Sequence, residues 1–164
     1  MNDNYAVING KRIELTDEQL KALGIEERKN PFERVAKGEV YSLVGTYGYP
    51  VSCHDDRSPF DNNSFAYHNY FNDKDFANQV ALHQLLYRKL LKYAYDNECE
   101  DTAEWDCDNR HWCIRYDHCD KVFGVTWYDT FQYFGVYFST MESAERAIKE
   151  VIMPFVKEHP DFVW

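Results

Sequence analysis

The chain has 164 residues, with 28 acidic against 18 basic side chains and a formal charge of −10. Affinity for nucleic acid rests on Lys and Arg neutralising phosphates, so this balance argues against a general DNA- or RNA-binding protein; it fits the opposite role, an acidic surface that occupies another protein's nucleic-acid groove. Aromatic residues reach 17 % (13 Tyr, 11 Phe, 4 Trp), which excludes a disordered polymer, and with no basic-apolar leader, no run near ~20 apolar residues and an odd count of five cysteines the expectation is a cytoplasmic protein without a disulfide framework.

Tyr5 to Leu15 alternates apolar and polar residues around Asn9-Gly10, a hairpin signal because a tight turn needs positive φ at both central positions. Thr16 and Gln19 form a capping box for a short helix with Leu20 and Leu23 on its apolar side and Gly24 as its stop. Glu26 to Gly38 reads as a polar connector pinned by Phe32 and Val35, with room for a single helical turn. Val40–Val44 and Val51–His54 read as strands across a turn at Thr46–Pro50. Asp55–Asn63 reads as a loop and Ser64–Phe71 as extended, aromatic chain. Asn72 then caps a long helix to about Tyr95, with Phe76, Ala77, Val80, Ala81, Leu85, Leu86, Leu90, Leu91 and Ala94 as its apolar positions at i, i+4 spacing. After an acidic linker, Trp112–Tyr116 and Val122–Trp127 read as paired strands, Phe131–Phe138 as a third, and Ser139 as the cap of a helix broken near Pro154. The tail Phe162–Trp164 is apolar enough to dock back.

The segment from Tyr67 to Ala77 recurs, much altered, from Phe134 to Ala144; Tyr70-Phe71 and Tyr137-Phe138 align, as do Ala77 and Ala144. Each copy follows strand-like sequence and precedes a helix. The expected fold class is therefore α+β, built from duplicated β-β-α units with antiparallel strands plus an N-terminal hairpin and short helix. The expected organisation is one compact domain: residues 1–38 as hairpin, helix and connector, 39–97 as the first unit, 98–110 as the acidic linker, and 111–164 as the second unit. One such unit is too small to bury both a sheet face and a helix face, whereas two can share a core and leave a cleft between them.

Four groups of side chains have residue types that could carry chemistry. Cys99, Cys107, His111, Cys113, His118 and Cys119 are residue types that zinc prefers, but no pair has Cys-x-x-Cys spacing. Cys53 and His54 are adjacent and would point to opposite faces of a strand, so a cysteine nucleophile would need His68, His83 or His111 in space. Asp55, Asp56 and Asp61 with Asn62 and Asn63 offer oxygen ligands without the spacing of an EF-hand loop. No nucleotide-binding glycine pattern, Gly-x-Ser-x-Gly or His-Glu-x-x-His occurs. No catalytic residue, metal or cofactor is assigned on these grounds. The fourth group is Asp96 to Asp108, seven carboxylates uninterrupted by Lys or Arg. These repel one another and keep a loop solvated; they also imitate a row of phosphates. The partner-binding residues expected on that logic are Glu98, Glu100, Asp101, Glu104, Asp106 and Asp108 as charge, with Trp105 as anchor.

Asn9 to Leu20, Asn30 to Tyr41, Asn69-Tyr-Phe and Val136-Tyr-Phe-Ser with its Ala-Glu-rich helix resemble small acidic proteins encoded by phages and prophages of Firmicutes and gut bacteria. The likeness runs over most of the chain and brings no catalytic residue with it; the chain departs from the pattern at His68, where a Gly would be usual and where the second copy has Gly135. What the resemblance implies is context: an anti-defence protein, non-enzymatic, that inhibits a bacterial defence nuclease in the manner of an anti-CRISPR factor through its acidic, aromatic surface. The alternative is a binder or sponge of a nucleotide signal, with a cleft between the two units lined by Tyr and Trp and Arg115 or Arg110 meeting phosphates. An enzyme with a Cys-His or metal site is a second alternative, and a virion or scaffold component a third.

Overall fold

The computed structural model describes residues 5–8, 10–23 and 30–164. Strands β1 (Tyr5–Ile8) and β2 (Lys11–Glu14) pair antiparallel, Ile8 opposite Lys11. Gly10 takes φ +76° in the turn; Asn9, the other half of the expected turn, lies outside the described residues. Helix α1 (Asp17–Ala22) begins at the capping box read from the sequence: the Thr16 amide donates to Gln19 Oε1 at 2.9 Å and the Gln19 amide to Thr16 Oγ1 at 3.3 Å. Leu20 is buried, but Leu23 is exposed. The expected stop at Gly24 and the start of the connector, residues 24–29, lie outside the described residues. Further along the connector, Phe32 packs on the rings of Phe71 and Phe76 at 5.3 and 5.4 Å, and Val35 packs on buried Tyr41, Leu43 and Tyr70.

The fold is α+β, with small antiparallel sheets. In the first unit β3 (Val40–Val44) pairs with β4 (Pro50–His54), and Phe71 exchanges backbone hydrogen bonds with Ser42 of β3. In the second, β5 (His111–Asp117) pairs with β6 (Val122–Tyr128) on one side and with β7 (Tyr137–Phe138) on the other. The Tyr-Phe pair thus adds to the first strand of the hairpin in both units, a shared topology that fits the sequence likeness. The third strand expected over Phe131–Phe138 contracts to two residues, because the aromatic stretch before Tyr137 forms a loop instead.

Two expectations are corrected together: helix α2 (Pro59–Ala66) occupies the second half of the loop expected over Asp55–Asn63 and the first three residues of the extended chain expected over Ser64–Phe71. Ser58 and Asp61 form a capping box and Pro59 supplies the first helical position, where a missing N–H costs nothing. Beneath α2 lies a buried polar network. Asp55, fully buried, accepts from Arg34 Nε at 2.7 Å and Nη2 at 3.1 Å, from Tyr70 Oη at 2.8 Å and from the Arg57 amide at 2.9 Å. Asp61 accepts from Tyr41 Oη and Ser58 Oγ, each at 2.8 Å, and from two backbone amides. The Tyr41 and Tyr70 rings stack at 4.0 Å, so the two hydroxyls stand side by side above the two carboxylates. Arg34 holds the Asp55 carboxyl far below the usual range, and burial, then the bond to Asp61, pushes the Tyr41 hydroxyl well above its own.

Helix α3 (Lys74–Asp96) is the spine, capped by Asp73, one residue beyond the expected Asn72. The Asn72 side chain is spent elsewhere, donating to the carbonyls of Asn30 and Glu33. Ala77, Ala81, Leu82, Leu86, Leu90 and Ala94 are buried along it, and it packs on β3 and β4 at one side and on the C-terminal helices at the other. Each such Leu contributes about 2 kcal/mol on burial. Helix α4 (Met141–Ala147) starts from Thr140, again one residue past the expected cap Ser139, and covers one face of the β6-β5-β7 sheet. A π-helical turn, Ile148–Ile152, joins it to α5 (Met153–Glu158). Pro154, read as a break, therefore sits in the first turn of α5: the widened turn ahead of it accommodates a ring that a regular helix would press against a carbonyl. The tail does dock, Trp164 against Phe123 at 5.1 Å and Phe162 against Phe155 at 5.2 Å.

Candidate functional site

Alternation along β5 and β6 sends Trp112, Ile114, Phe123 and Val125 into the core. Cys113, Arg115, Thr126 and Tyr128, at the alternate positions, form with Ile114 one wall of a cavity of about 400 Å³. Tyr137 of β7 extends this wall, being paired with Cys113. Helix α3 supplies the opposite wall with His83, Leu86, Tyr87 and Leu90, positions that share one helical face. The loop residues Tyr133–Val136 and the docked tail complete it. Phe134 stacks on Tyr87 at 5.2 Å and 16° yet remains 93 % exposed, a flat ring standing at the mouth. The Tyr137 hydroxyl receives the Tyr133 amide at 2.8 Å and donates to the Tyr133 carbonyl, which holds the aromatic loop on the sheet.

The cavity joins apolar and aromatic surface to few polar groups. Arg115 lies across Gly124, where an added Cβ would stand 3.8 Å from its Nε. Its nearest anion is Asp117, at 3.5 Å and partly exposed, and that carboxylate is itself engaged by the amides of Asp120 and Cys119. Such a contact is weak in water and leaves the guanidinium donors available. Burial pushes the Cys113 thiol up to about 11 and holds the His83 imidazole below its ordinary value. Arg110, the other arginine expected at a cleft, instead lies 4.7 Å over Trp127, apart from the cavity lining.

The acidic linker does not present the continuous row of charge expected of it. Asp101 turns inward, its carboxylate on Nδ1 of the fully buried His111 at 2.5 Å. Trp105 stacks on His111 at 3.6 Å and meets Tyr137 edge-on at 5.2 Å, so this anchor is seated on the chain's own sheet, beside the cavity wall. Glu100 bridges to Phe138 through its backbone and has one carboxylate oxygen buried. Asp106 accepts the amides of Asp108 and Asn109, which close a turn and lower its carboxyl. Glu98, Glu104, Asp106 and Asp108 remain exposed.

The remaining groups lie apart. Among the described residues no three His, Cys, Asp or Glu side chains converge to hold a metal ion. Cys99 is buried, and burial raises its thiol; Cys107 and Cys119 are exposed; His118 packs edge-on against Tyr116. His54 Nδ1 bonds to the Gly38 carbonyl at 3.2 Å. Asp55 and Asp61, weighed as cation ligands, are consumed by the network under α2. Tyr87, Tyr128, Tyr133 and Phe134 are not among the site residues expected from the sequence, and Cys113 is expected there only as a zinc-type ligand; the alternation of the two strands and the helical spacing on α3 are the signals that place them together. Comparison with known proteins returned no match to any family model, curated protein or solved structure.

Proposed function

We propose that the protein binds a small, flat, negatively charged molecule of the nucleotide class without transforming it. The observation that carries this reading is the cavity between α3 and the β6-β5-β7 sheet, where Tyr87, Tyr128, Tyr133 and Phe134 surround about 400 Å³ with Arg115 beside them. That volume falls in the range of small-molecule sites, and a largely apolar wall with few convergent polar groups is their usual chemistry. Base stacking on aromatic rings contributes about 1–3 kcal/mol per base. The net charge of −10 opposes an anion at long range, but at physiological salt that field fades within about 8 Å, while a guanidinium in contact acts in full.

Thermal unfolding with a panel of nucleotides tests this. A ligand at 100 times its Kd raises stability by about 2.7 kcal/mol, which moves the Tm of a chain this size by roughly 5–11 °C. Arg115→Ala and Tyr87→Ala should abolish the shift. If no nucleotide stabilises the protein, and protein purified from a bacterium releases no small molecule on denaturation, the reading fails.

A second reading is inhibition of a bacterial defence nuclease by a phage-encoded protein, supported by the exposed Glu98, Glu104, Asp106 and Asp108. Reversing these four charges would abolish capture of a basic partner; unchanged inhibition would exclude them. On either reading the protein acts in the cytoplasm of its bacterial host. Among the described residues no helix is long and apolar enough to cross a membrane.

A further inference from the structure

Against a neighbouring face of α3 lies a second cleft, of about 310 Å³, with the opposite chemistry. Its walls are the β3–β4 turn, the chain leaving α2, and Gln84 and Arg88 of α3. In a protein with ten more acidic than basic side chains, no carboxylate lines this cleft among the described residues. Arg88 is in no ion pair among them. The turn is cut to receive it: Gly48 has φ +79°, and a Cβ there would stand 2.9 Å from Arg88 Nη2.

His68 is the second observation. Helix α2 ends in a Schellman motif, the Asn69 amide donating to the Ser64 carbonyl at 2.9 Å and the His68 amide to Phe65 at 3.1 Å. His68 holds the left-handed position, φ +56°, where glycine is the usual occupant because an added Cβ strains the backbone. Asn69 then clamps the chain to β3, accepting from the Val44 amide and donating to its carbonyl. The result places an exposed imidazole at the rim of the cleft that contains Arg88. Arg57, Glu98, Cys107 and Lys121 share this left-handed backbone, but of the five only His68 lines a cleft that contains an arginine without an ion pair among the described residues.

We infer that this cleft binds the phosphate group of a small molecule, with Arg88 as the charged donor and His68, Gln84 and Thr46 as hydrogen-bonding partners. The site is independent of the aromatic cavity and stands or falls separately from the ligand proposed there. The test is an amide NMR titration of the intact protein with inorganic phosphate, at ionic strength held constant with chloride. Saturable shifts at Thr46–Gly48 and Tyr67–Asn69 are expected, with a Kd at or below about 10 mM. Arg88→Ala should weaken binding at least about tenfold, equivalent to about 1.4 kcal/mol, while Arg115→Ala leaves it unchanged. His68→Gly separates function from fold: it relieves the left-handed strain, so Tm should rise by roughly 2–4 °C, while phosphate binding weakens. Non-saturating shifts, equal losses in Arg88→Ala and Arg115→Ala, or full binding by His68→Gly would each overturn the assignment.

Discussion

Replacing Arg34 by Ala would leave the Asp55 carboxylate buried without its principal counter-charge. Two hydrogen bonds, at 2.7 and 3.1 Å, would be lost from a group that is 0 % exposed, while Arg34 itself is 20 % exposed. Removing one partner of a buried ion pair costs about 3–5 kcal/mol. The loss here belongs near the lower bound, about 3 kcal/mol, because the Tyr70 hydroxyl, the Arg57 amide and the more distant Arg57 guanidinium still face the carboxylate. For a chain of this size that is a fall in Tm of roughly 6–12 °C. The pH dependence gives a second signature. In the native protein the Asp55 carboxyl is held below its unfolded value, so its contribution is complete above the ordinary carboxylate range and is lost as pH falls from there towards the depressed folded value. The variant lacks the main cause of that depression, so the gap between the two proteins should narrow on acidification. Urea unfolding at neutral pH and at about pH 3 reads both effects. A neutral-pH loss below about 1 kcal/mol, or a gap that stays constant in acid, would refute the reasoning that Arg34 is the main partner of a buried, ionised Asp55.

Burial that raises the Cys113 thiol to about 11 should make it slow to alkylate under mildly alkaline conditions, while Cys107 and Cys119, both exposed, react first; peptide mapping by mass spectrometry reads the order, and fast labelling of Cys113 would contradict that burial. Tyr41 and Tyr70 both titrate above the ordinary tyrosine value when folded, so their contribution is complete below about pH 10 and lost as pH rises beyond it; a stability curve flat through that range would be the wrong outcome. Asp101→Asn should cost about 1–3 kcal/mol by denaturant unfolding, whereas Glu104→Gln, on the same linker but exposed, should stay within about 0.5 kcal/mol. Gly48→Ala meets both a left-handed backbone and Arg88 Nη2 and should lower stability by about 1–2 kcal/mol.

What could be read from the sequence was what local patterning controls. The hairpin at Gly10, the Thr16–Gln19 box, both central hairpins and the long helix follow from alternation, spacing and caps. The helix caps at Asp73 and Thr140 were each displaced by one residue because two cap-forming residues stand side by side, and tertiary contacts decide between them. Helix α2 was hidden by Asn62, Asn63 and Ser64, which favour loops in isolation, although Ser58, Pro59 and Asp61 carry its start signal. The inward turn of Asp101 depends on His111, ten residues away and placed by a strand, so charge counting alone could not separate it from its exposed neighbours. The cavity was anticipated only as a cleft between units, since its lining comes from α3, β5, β6, β7 and the tail.

The π-helical turn before α5 couples two positions of the chain to one another. The Met153 amide reaches back five residues to the Ile148 carbonyl, so the turn holds one residue more than a regular helix needs. Deleting a residue there would restore regular winding and drive the Pro154 ring into the carbonyl four residues behind it. With Pro154 first changed to Ala, the same deletion would become tolerable. The extra residue and the proline are therefore coupled: the proline depends on the wider turn, and the cost of losing that residue depends on whether the proline is present.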